Sequence, residues 1–369
     1  MSVSDINQAT RVPMPQDMTP KDYSLTGTLS ESRFKFSDWY SSPVPRRRLK
    51  ELMKRSDGAA LKNYALWLAG VFGFGTLLIA VWGTGWAVPV ALVYGLFYGS
   101  GADSRWHETG HGTVFKTRWL NEVFYQLASF MSLRNPYLWR WSHTRHHSET
   151  LVVGRDPEIA FPRPPSIAEW VLNLIYVPAL TKELGKMVRL SFGRLTDAEK
   201  SFLVEADRAN AFRASRIQLA ILALVVGLSL ALQSFLPIML VGLPTFYGSW
   251  LHHILATTQH AGLAEDIPDH RLNSRTVYLN PFFSFIYSNM NFHVEHHMYT
   301  MVPFHALPKL HEEIKADCPP AYPSLWAAYK EIVPAIIKQQ HDPNYFVRRP
   351  LPPTAAPSPD YQRPAIAAE

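Results

Sequence analysis

The chain has 369 residues, of which 47% are apolar and 18% charged, and its formal net charge is +6. This length exceeds that of a small module and does not suffice for two large domains. The single cysteine, Cys318, excludes an intramolecular disulfide and any metal site built on several cysteines. The basic balance does not indicate nucleic acid binding, because Lys and Arg cluster beside long apolar blocks.

Residues 1–60 are polar, include several prolines and begin with no signal peptide, so we expect a cytoplasmic N-terminal arm that is mostly irregular over residues 1–40. Residues 46–62 are rich in Lys and Arg and predict a basic helix at the membrane surface. A solvated basic stretch is equally compatible with this composition.

Two long blocks of the chain carry no Asp, Glu, Lys or Arg: forty residues from Asn63 to Ala102 and forty-eight from Ile217 to Ala264. An apolar bilayer core of roughly 30 Å needs about 20 helical residues, so each block is long enough for two spans joined by a tight turn. The predicted spans are residues 61–81, 86–102, 217–231 and 238–258.

Residues 103–215, between the two blocks, are rich in charge but contain two short apolar stretches, Val123–Leu133 and Ile167–Leu180. Both are too short to cross a bilayer comfortably, so we expect interfacial or re-entrant helices. We expect the membrane domain to cover residues 61–312, an extent that rests on the family resemblance described below. Residues 313–342 predict a C-terminal helical extension, and residues 343–369 predict a disordered tail because they are rich in Pro and Ala.

The predicted fold class is an all-α integral membrane protein with four transmembrane helices in two hairpins, interfacial helices and a histidine-rich helical cap. The two predicted outer turns carry no charge, whereas the three other segments hold the Lys and Arg residues. The positive-inside rule places those three segments, including both termini, in the cytoplasm. Multi-pass topology and a cytoplasmic cap are thus the expected localisation.

Eight of the fifteen histidines fall in three tight groups, which we call the histidine boxes: HxxxH, HxxHH and HxxHH. Spacings of three and four residues put side chains on one helical face, and imidazole is a common ligand of Zn, Cu, Fe and Ni. One HxxxH pair arises by chance, but three groups on one predicted membrane face indicate a metal site. The box residues are His107 and His111, His143, His146 and His147, and His293, His296 and His297.

So many imidazoles exceed the four ligands of one structural zinc site and suit two ions. The carboxylates near the boxes do not form Glu-x-x-His pairs, so the ferritin-like design is excluded. An O2-activating pair of iron ions fits best, although spacing leaves manganese and zinc open. Nearby carboxylates that could accept the outer N–H of a ligand are Asp103, Glu108, Glu149, Asp156 and Glu295.

A ninth ligand is expected at His260, where the fourth predicted span ends, with a polar cap as the alternative. Asn289 is a further candidate, because it would share the face of His293 if that helix extends back. His252 and His253 lie deeper in the span and suggest a packing or supporting role. The scattered histidines that we expect at the surface are His270, His305, His311 and His341.

At these boxes the chain resembles the membrane fatty acid desaturase superfamily, which also includes hydroxylases and alkane monooxygenases. The resemblance covers about residues 60–312, in the order hairpin, HxxxH, HxxHH, hairpin, lone His, HxxHH. It implies a transmembrane bundle under a cytoplasmic cap, with two non-haem iron ions and O2 as co-substrate. The iron ligands that it implies are His107, His111, His143, His146, His147, His260, His293, His296 and His297.

The three residues within the first box are as in acyl-lipid desaturases and hydroxylases, which disfavours an acyl-CoA substrate. The resemblance implies a membrane lipid or acyl substrate and a double bond as the product. The sequence contains no His-Pro-Gly-Gly haem motif and no flavin or nicotinamide fingerprint. Electrons must then come from a separate donor, such as a ferredoxin or a cytochrome with its reductase.

An apolar channel should hold the substrate, and its candidate lining is aromatic: Trp106, Tyr137, Trp139, Trp141, Phe282, Phe283, Phe285 and Tyr287. Arg140, Arg145 and Arg155 are candidates for contacts with an anionic head group or with an acidic donor. Ordinary packing is the alternative for each of these residues. Three rival functions stay open: a hydroxylase on the same di-iron site, a membrane metal transporter and a membrane zinc hydrolase.

Overall fold

The computed structural model describes residues 21–28 and 31–358. This part of the chain is helical, with three isolated backbone bridges and no strand. Its first α-helices are α1 (Arg46–Leu52), α2 (Asp57–Ala80), α3 (Ala87–Gly95), α4 (Gly101–Gly110), α5 (Arg118–Met131), α6 (Pro136–Ser148), α7 (Ile167–Leu172), α8 (Val177–Ser191) and α9 (Asp197–Phe202). They are followed by α10 (Glu205–Ala231), α11 (Leu236–Leu240), α12 (Pro244–Gly248), α13 (Trp250–His260), α14 (His270–Asn273), α15 (Pro281–Ile286), α16 (His293–Met298), α17 (Leu307–Ile314) and α18 (Leu325–His341).

Two helices of the described part, α2 and α10, are long and apolar enough to cross a membrane. They have 24 and 27 residues, which is about 36 and 40 Å of helix at a rise of about 1.5 Å per residue. Both present exposed apolar side chains outward, such as Phe72 and Leu224. The first predicted span, 61–81, corresponds to α2 apart from its end residues. The third, 217–231, is the C-terminal part of α10, which begins twelve residues earlier at Glu205.

The second predicted span, 86–102, coincides with a continuous helical run. α3 passes through a π-helical turn, Leu96–Ser100, directly into α4. The run ends at Gly110, so it continues beyond the predicted span, contains His107 and stops just before His111. A helix that begins in the apolar block thus extends to the first histidine box.

The prediction of a single fourth helix over 238–258 is wrong, because three short helices, α11, α12 and α13, occupy this region. Gly242, with a left-handed φ of 95°, and Pro244, which begins α12, lie at the break between α11 and α12. A second break at Ser249 separates α12 from α13. The breaks let Gly248 contact the α3 backbone closely, since a Cβ atom on it would lie 1.9 Å from the carbonyl oxygen of Gly95.

Two of the three helices that were predicted to lie at the membrane surface also have boundaries different from those expected. The predicted basic helix over 46–62 is two helices, because the Ser56 hydroxyl accepts a hydrogen bond from the amide of Ala59 and starts α2 there. Val123–Leu133 lies largely within α5, as expected. Ile167–Leu180 is divided between α7, a short 3-10 turn and the start of α8, because Tyr176 has a left-handed φ of 56° just before Pro178.

The two ends of the described chain lie against the helical body. Residues 26–28 receive hydrogen bonds from Arg145 and Arg155, which are buried and also pair with Glu149. These two arginines are therefore not free to hold a head group. The predicted disordered tail also needs correction within residues 343–358, because the amide of Val347 donates to Gly262 and the Arg349 guanidinium donates to Pro320. Residues 359–369 and 1–20 lie outside the described part.

Candidate metal centre

The nine histidines predicted as ligands converge in two adjoining groups. His107, His111, His143, His147 and His296 form the five-histidine cluster, and His146, His260, His293 and His297 form the four-histidine cluster. In each cluster one nitrogen atom per ring lies within 4.8 Å of those of the others. Helices α4, α6, α13 and α16 supply eight of these side chains, and the ninth, His111, directly follows α4. Side chains as far apart in the sequence as His107 and His297 thus lie in one site.

The two HxxHH boxes each divide their histidines between the clusters. His143 and His147 point into the five-histidine cluster, whereas His146 joins the four-histidine cluster. On α16 the division is reversed, since His296 joins the first cluster and its box partners join the second. The reason is helical geometry. With about 3.6 residues per turn, the third residue after a given one falls just short of a full turn and the fourth just exceeds it, so their side chains diverge although both lie on one broad face.

The distances between ring nitrogens suit metal binding. Nε2 of His143 lies 3.3 Å from Nε2 of His111 and 3.0 Å from Nε2 of His147. Nε2 of His293 lies 2.9 Å from Nε2 of His260 and 3.0 Å from Nε2 of His297. Metal–imidazole bonds of about 2.1 Å place neighbouring nitrogens roughly 3.0–3.4 Å apart. Both nitrogens of His296 are buried without a hydrogen-bond partner in the described chain, which suits a ligand that has an ion to bind.

Carboxylates and oxygen atoms orient several of these rings through Nδ1. His143 Nδ1 donates to Glu158 at 2.8 Å, and His146 Nδ1 donates to Asp156 at 2.8 Å. His260 Nδ1 donates to the carbonyl of Asn273 at 2.7 Å. Such contacts leave Nε2 available toward the centre and raise the basicity of the ring.

Of the five carboxylates suggested from the sequence, Asp156 contacts a box ring by a hydrogen bond and Glu108 lies 3.4 Å from Nδ1 of His107 and 3.7 Å from Nδ1 of His296. Glu295 instead accepts from His311, Glu149 pairs with buried arginines, and Asp103 pairs with Arg134. The sequence missed Glu158, because it follows His147 by eleven residues and no helical spacing connects the two.

Burial shapes the electrostatics of the centre. It is the main cause of pKa values well below the ordinary histidine value for seven rings: His107, His111, His147, His260, His293, His296 and His297. Neutral imidazole is the form that binds a metal ion. Burial also raises the pKa of Glu108 to about 8. It opposes ionisation of Glu158 as well, but His143 outweighs it and lowers that pKa to about 2.

The other histidines are placed differently from expectation. His270 and His311 are buried, so the prediction that they are surface residues is wrong. His270 stacks on Trp39, and His311 lies between Glu295 and the hydroxyl of Tyr278. His341 is exposed and His305 partly buried.

Two deeper histidines support neighbouring elements, as the sequence suggested. His252 Nε2 lies 3.1 Å from an oxygen of Asp103, which also pairs with Arg134. His253 Nε2 donates to the carbonyl of Trp170. Neither residue belongs to a cluster.

Asn289 does not lie on the helix of the third box. α16 begins at His293, and Asn289 precedes it with a left-handed φ of 56°. Its side-chain amide donates to the carbonyl of Phe304 at 3.0 Å. The argument from helical spacing is therefore wrong, and metal ligation by Asn289 stays a prediction.

Two of the predicted channel aromatics flank the five-histidine cluster. Trp106 and Trp139 pack edge to face and line a small cleft with His107, His111 and His143. A larger cavity of about 330 Å³ lies nearby between α5, α6 and α10, and Tyr137 contributes to its wall. Phe282, by contrast, is exposed.

The fold and the site define an all-helical protein with a buried pair of histidine clusters suited to two metal ions. The sequence profile of the fatty acid desaturase family matches residues 83–329, which include all nine histidines. The chain belongs to the fatty acid desaturase family, and this confirms the resemblance seen at the boxes.

Curated relatives match over shorter segments. The chain is 35% identical over 88 residues to the endoplasmic reticulum omega-6 fatty acid desaturase isozyme 1 of Glycine max, covering 24% of this chain and 22% of that protein. It is 30% identical over 105 residues to the delta(12)-acyl-lipid-desaturase of Punica granatum, covering 28% and 25%. It is 34% identical over 91 residues to fatty acid desaturase 3 of Homo sapiens, covering 22% and 19%. The matched segments thus span a quarter or less of these relatives.

Proposed function

We propose that this protein is an O2-dependent di-iron desaturase that introduces a double bond into the acyl chain of a membrane lipid. The observation that carries the proposal is the convergence of nine buried histidines into a five-membered and a four-membered cluster. Membership in the fatty acid desaturase family supports a lipid substrate. Desaturation is preferred over hydroxylation because the matched relatives are named as desaturases.

The nine cluster histidines would hold the two iron ions, which supply the O2 activation needed to remove hydrogen from an unactivated C–H bond. Burial lowers the pKa of seven of the nine rings, which favours their neutral form. Glu158, Asp156 and the Asn273 carbonyl orient the rings of His143, His146 and His260. Trp106 and Trp139 line the cleft at the five-histidine cluster. That cleft is where we place the reacting methylene groups.

We further propose a multi-pass topology in which both termini and the centre face the cytoplasm. The spans 61–81, 86–102, 217–231 and 238–258, which lie in the regions of α2, the α3–α4 run, α10 and α11–α13, would provide the four crossings. The nine cluster histidines lie beyond these spans. The Lys and Arg residues that flank the charge-free blocks support this orientation through the positive-inside rule. A separate electron donor, a ferredoxin or a cytochrome with its reductase, completes the proposal.

The large cavity suits the entry of an acyl lipid. Phe130, Ile217 and Ile221 form its apolar side, and Asn210 and Arg213 its polar side. Ile217 is also the first residue of the charge-free block of α10, so the cavity lies where the proposed span leaves the bilayer. A molecule with a polar head and an apolar chain matches both sides.

Lipid profiling of cells that express the wild type, His146→Ala or His341→Ala tests the function. We expect a new double bond in the wild type and in His341→Ala, whose side chain is exposed, and none in His146→Ala. An alcohol in place of the alkene would identify a hydroxylase. A product that persists in His146→Ala, with the protein inserted in the membrane, would contradict the proposal.

A further inference from the structure

An aromatic pair connects the four-histidine cluster with the surface of the cap. The ring of His270 lies 5.2 Å from that of His297, measured between centroids. On its other side His270 stacks on Trp39, at 4.5 Å and an interplanar angle of 16°. Phe34 packs edge to face on Trp39 at 6.1 Å. Four rings therefore form one contact series that begins at a proposed iron ligand.

The series through His270 leads to a different part of the molecule from the aromatic contacts that Trp106 makes with the clusters. Among the described residues outside the nine histidines, Trp106 and His270 have ring contacts with the clusters. Trp106 leads to Trp139 and Tyr125, which line the proposed substrate cleft. The series through His270 leads instead to the N-terminal arm, where the side chain of Phe36 is 95% exposed.

The arm is held firmly where it carries Trp39. The amide of Tyr40 donates to the carbonyl of Pro268, and its hydroxyl donates to Asp317 at 2.6 Å. The guanidinium of Arg271 lies 3.5 Å from the centroid of the Tyr40 ring. These contacts hold Tyr40, the residue that follows Trp39, through both its backbone and its side chain. The stack of Trp39 on His270 is therefore supported by the fold.

The arm lies on the side of the centre away from the proposed spans. His260 is the last residue of α13, and the arm contacts the residues that follow it, through Arg33 with Asp266 and Tyr40 with Pro268. Residues 31–55 contain eight Lys or Arg and three Asp or Glu, which gives them a net charge of +5. Tyr40 and Arg48 both contact residues 313–317, so Trp39 and the basic helix α1 share one neighbour.

We propose that electrons enter the centre through residues 33–39, which dock a small acidic one-electron donor protein, and pass by way of Trp39 and His270 to the four-histidine cluster. This inference rests on the proposed function. Formation of one double bond and two waters from O2 consumes two substrate hydrogens, two protons and two electrons. A one-electron donor must therefore dock twice in each turnover, which favours an exposed patch with fast, charge-steered exchange.

Trp39→Leu tests the route, with Trp39→Phe as the conservative variant and Trp326→Leu as the control, since Trp326 is an exposed tryptophan on α18. Reduction of the iron-loaded proteins is followed anaerobically, without lipid substrate, at saturating reduced [2Fe–2S] ferredoxin or cytochrome b5. Trp39→Leu should be reduced much more slowly than wild type or Trp326→Leu. Dithionite reduction and iron content should be unchanged, and Trp39→Phe should restore the donor-driven rate.

Lys35→Glu and Phe36→Ser test docking, because both side chains are exposed. Binding of either donor to the metal-free protein in detergent should weaken by about tenfold in Lys35→Glu, and more strongly at low salt. Reduction at saturating donor should stay at the wild-type rate in both variants. Binding to anionic phospholipid vesicles should not change.

Three results would overturn the inference: a wild-type donor-driven rate in Trp39→Leu, a loss of vesicle binding rather than donor binding in Phe36→Ser, or a wild-type centre that dithionite reduces but neither donor does. None of these measurements uses the acyl substrate. Failure of the proposed function, seen as absence of iron or of a double bond, is therefore distinguishable from failure of the route.

Discussion

Nδ1 of His143 donates a hydrogen bond of 2.8 Å to Glu158, and Nε2 of the same ring lies among the nitrogens of the five-histidine cluster. Glu158 also accepts a hydrogen bond from Ser142 at 2.6 Å, which fixes its own position. The carboxylate therefore determines both the tautomer and the direction of one proposed ligand.

Glu158→Gln should weaken iron binding at the five-histidine cluster by about 10- to 100-fold, because the amide no longer stabilises the oriented ring. Competition with an iron chelator measures the change. Glu169→Gln is the control, since Glu169 pairs with Lys182 at the surface. Equal iron retention in both variants would remove the supporting role of Glu158.

Asp156→Asn should affect the other cluster. Asp156 accepts from His146 Nδ1 and from the amide of Leu151, each at 2.8 Å, so it orients a ligand and fixes the loop after α6. About half of the iron should be lost on dialysis against chelator, and Mössbauer spectra should show loss of one iron environment. If Glu158→Gln and Asp156→Asn deplete the same iron site, the assignment of the rings to two clusters is wrong.

Gly248→Ala should destabilise the fold by about 1–3 kcal/mol, because the added methyl would collide with a backbone that cannot yield easily. The colliding atom is the carbonyl oxygen of Gly95, at 1.9 Å from the ideal Cβ position. Thermal unfolding in detergent measures the effect. Gly73→Ala on α2 is the matched control, because a Cβ atom at Gly73 would have no other atom within 4 Å. Equal melting temperatures of the two variants would mean that the backbone at the contact of Gly248 with Gly95 shifts to accommodate the methyl group.

Ala214→Trp should fill the cavity between α5, α6 and α10, which Ala214 lines. Turnover of the lipid substrate should fall by at least about tenfold, because the acyl chain can no longer reach its reactive position. Iron content and dithionite reduction should not change. Ala220→Trp, at an exposed position of the same helix, should behave as wild type, and inhibition by both variants alike would place the entry elsewhere.

The residues of the metal centre were predicted best, because the spacing of the histidines within each box carries the information. The intervals within the boxes placed eight histidines on helical faces, and His260 joined them. Spacing could not reveal the partners of these rings, because Glu158 and Asn273 reach them through loops rather than along a helix. It also could not show that His270 and His311 are buried, since their neighbours, Trp39 and Glu295, come from distant segments.

Hydropathy predicted where the apolar segments are but not how continuous they are. The block from Ile217 to Ala264 has no charged residue to mark a boundary, yet Gly242 and Pro244 divide its second half. A close helix crossing at Gly248 favours this break, and such a crossing depends on the partner helix rather than on local composition. For the same reason the contacts of residues 343–358 were not foreseen from their content of Pro and Ala.

The exchange of His146 and His296 between the clusters has a consequence for biosynthesis. Each cluster needs side chains from both the second and the third histidine box, which are separated by about two fifths of the chain. The five-histidine cluster cannot be complete before the ribosome has synthesised His296, nor the four-histidine cluster before it has synthesised His297. Under the proposed function, iron loading of either complete cluster is therefore a late step of maturation that follows synthesis of the third histidine box.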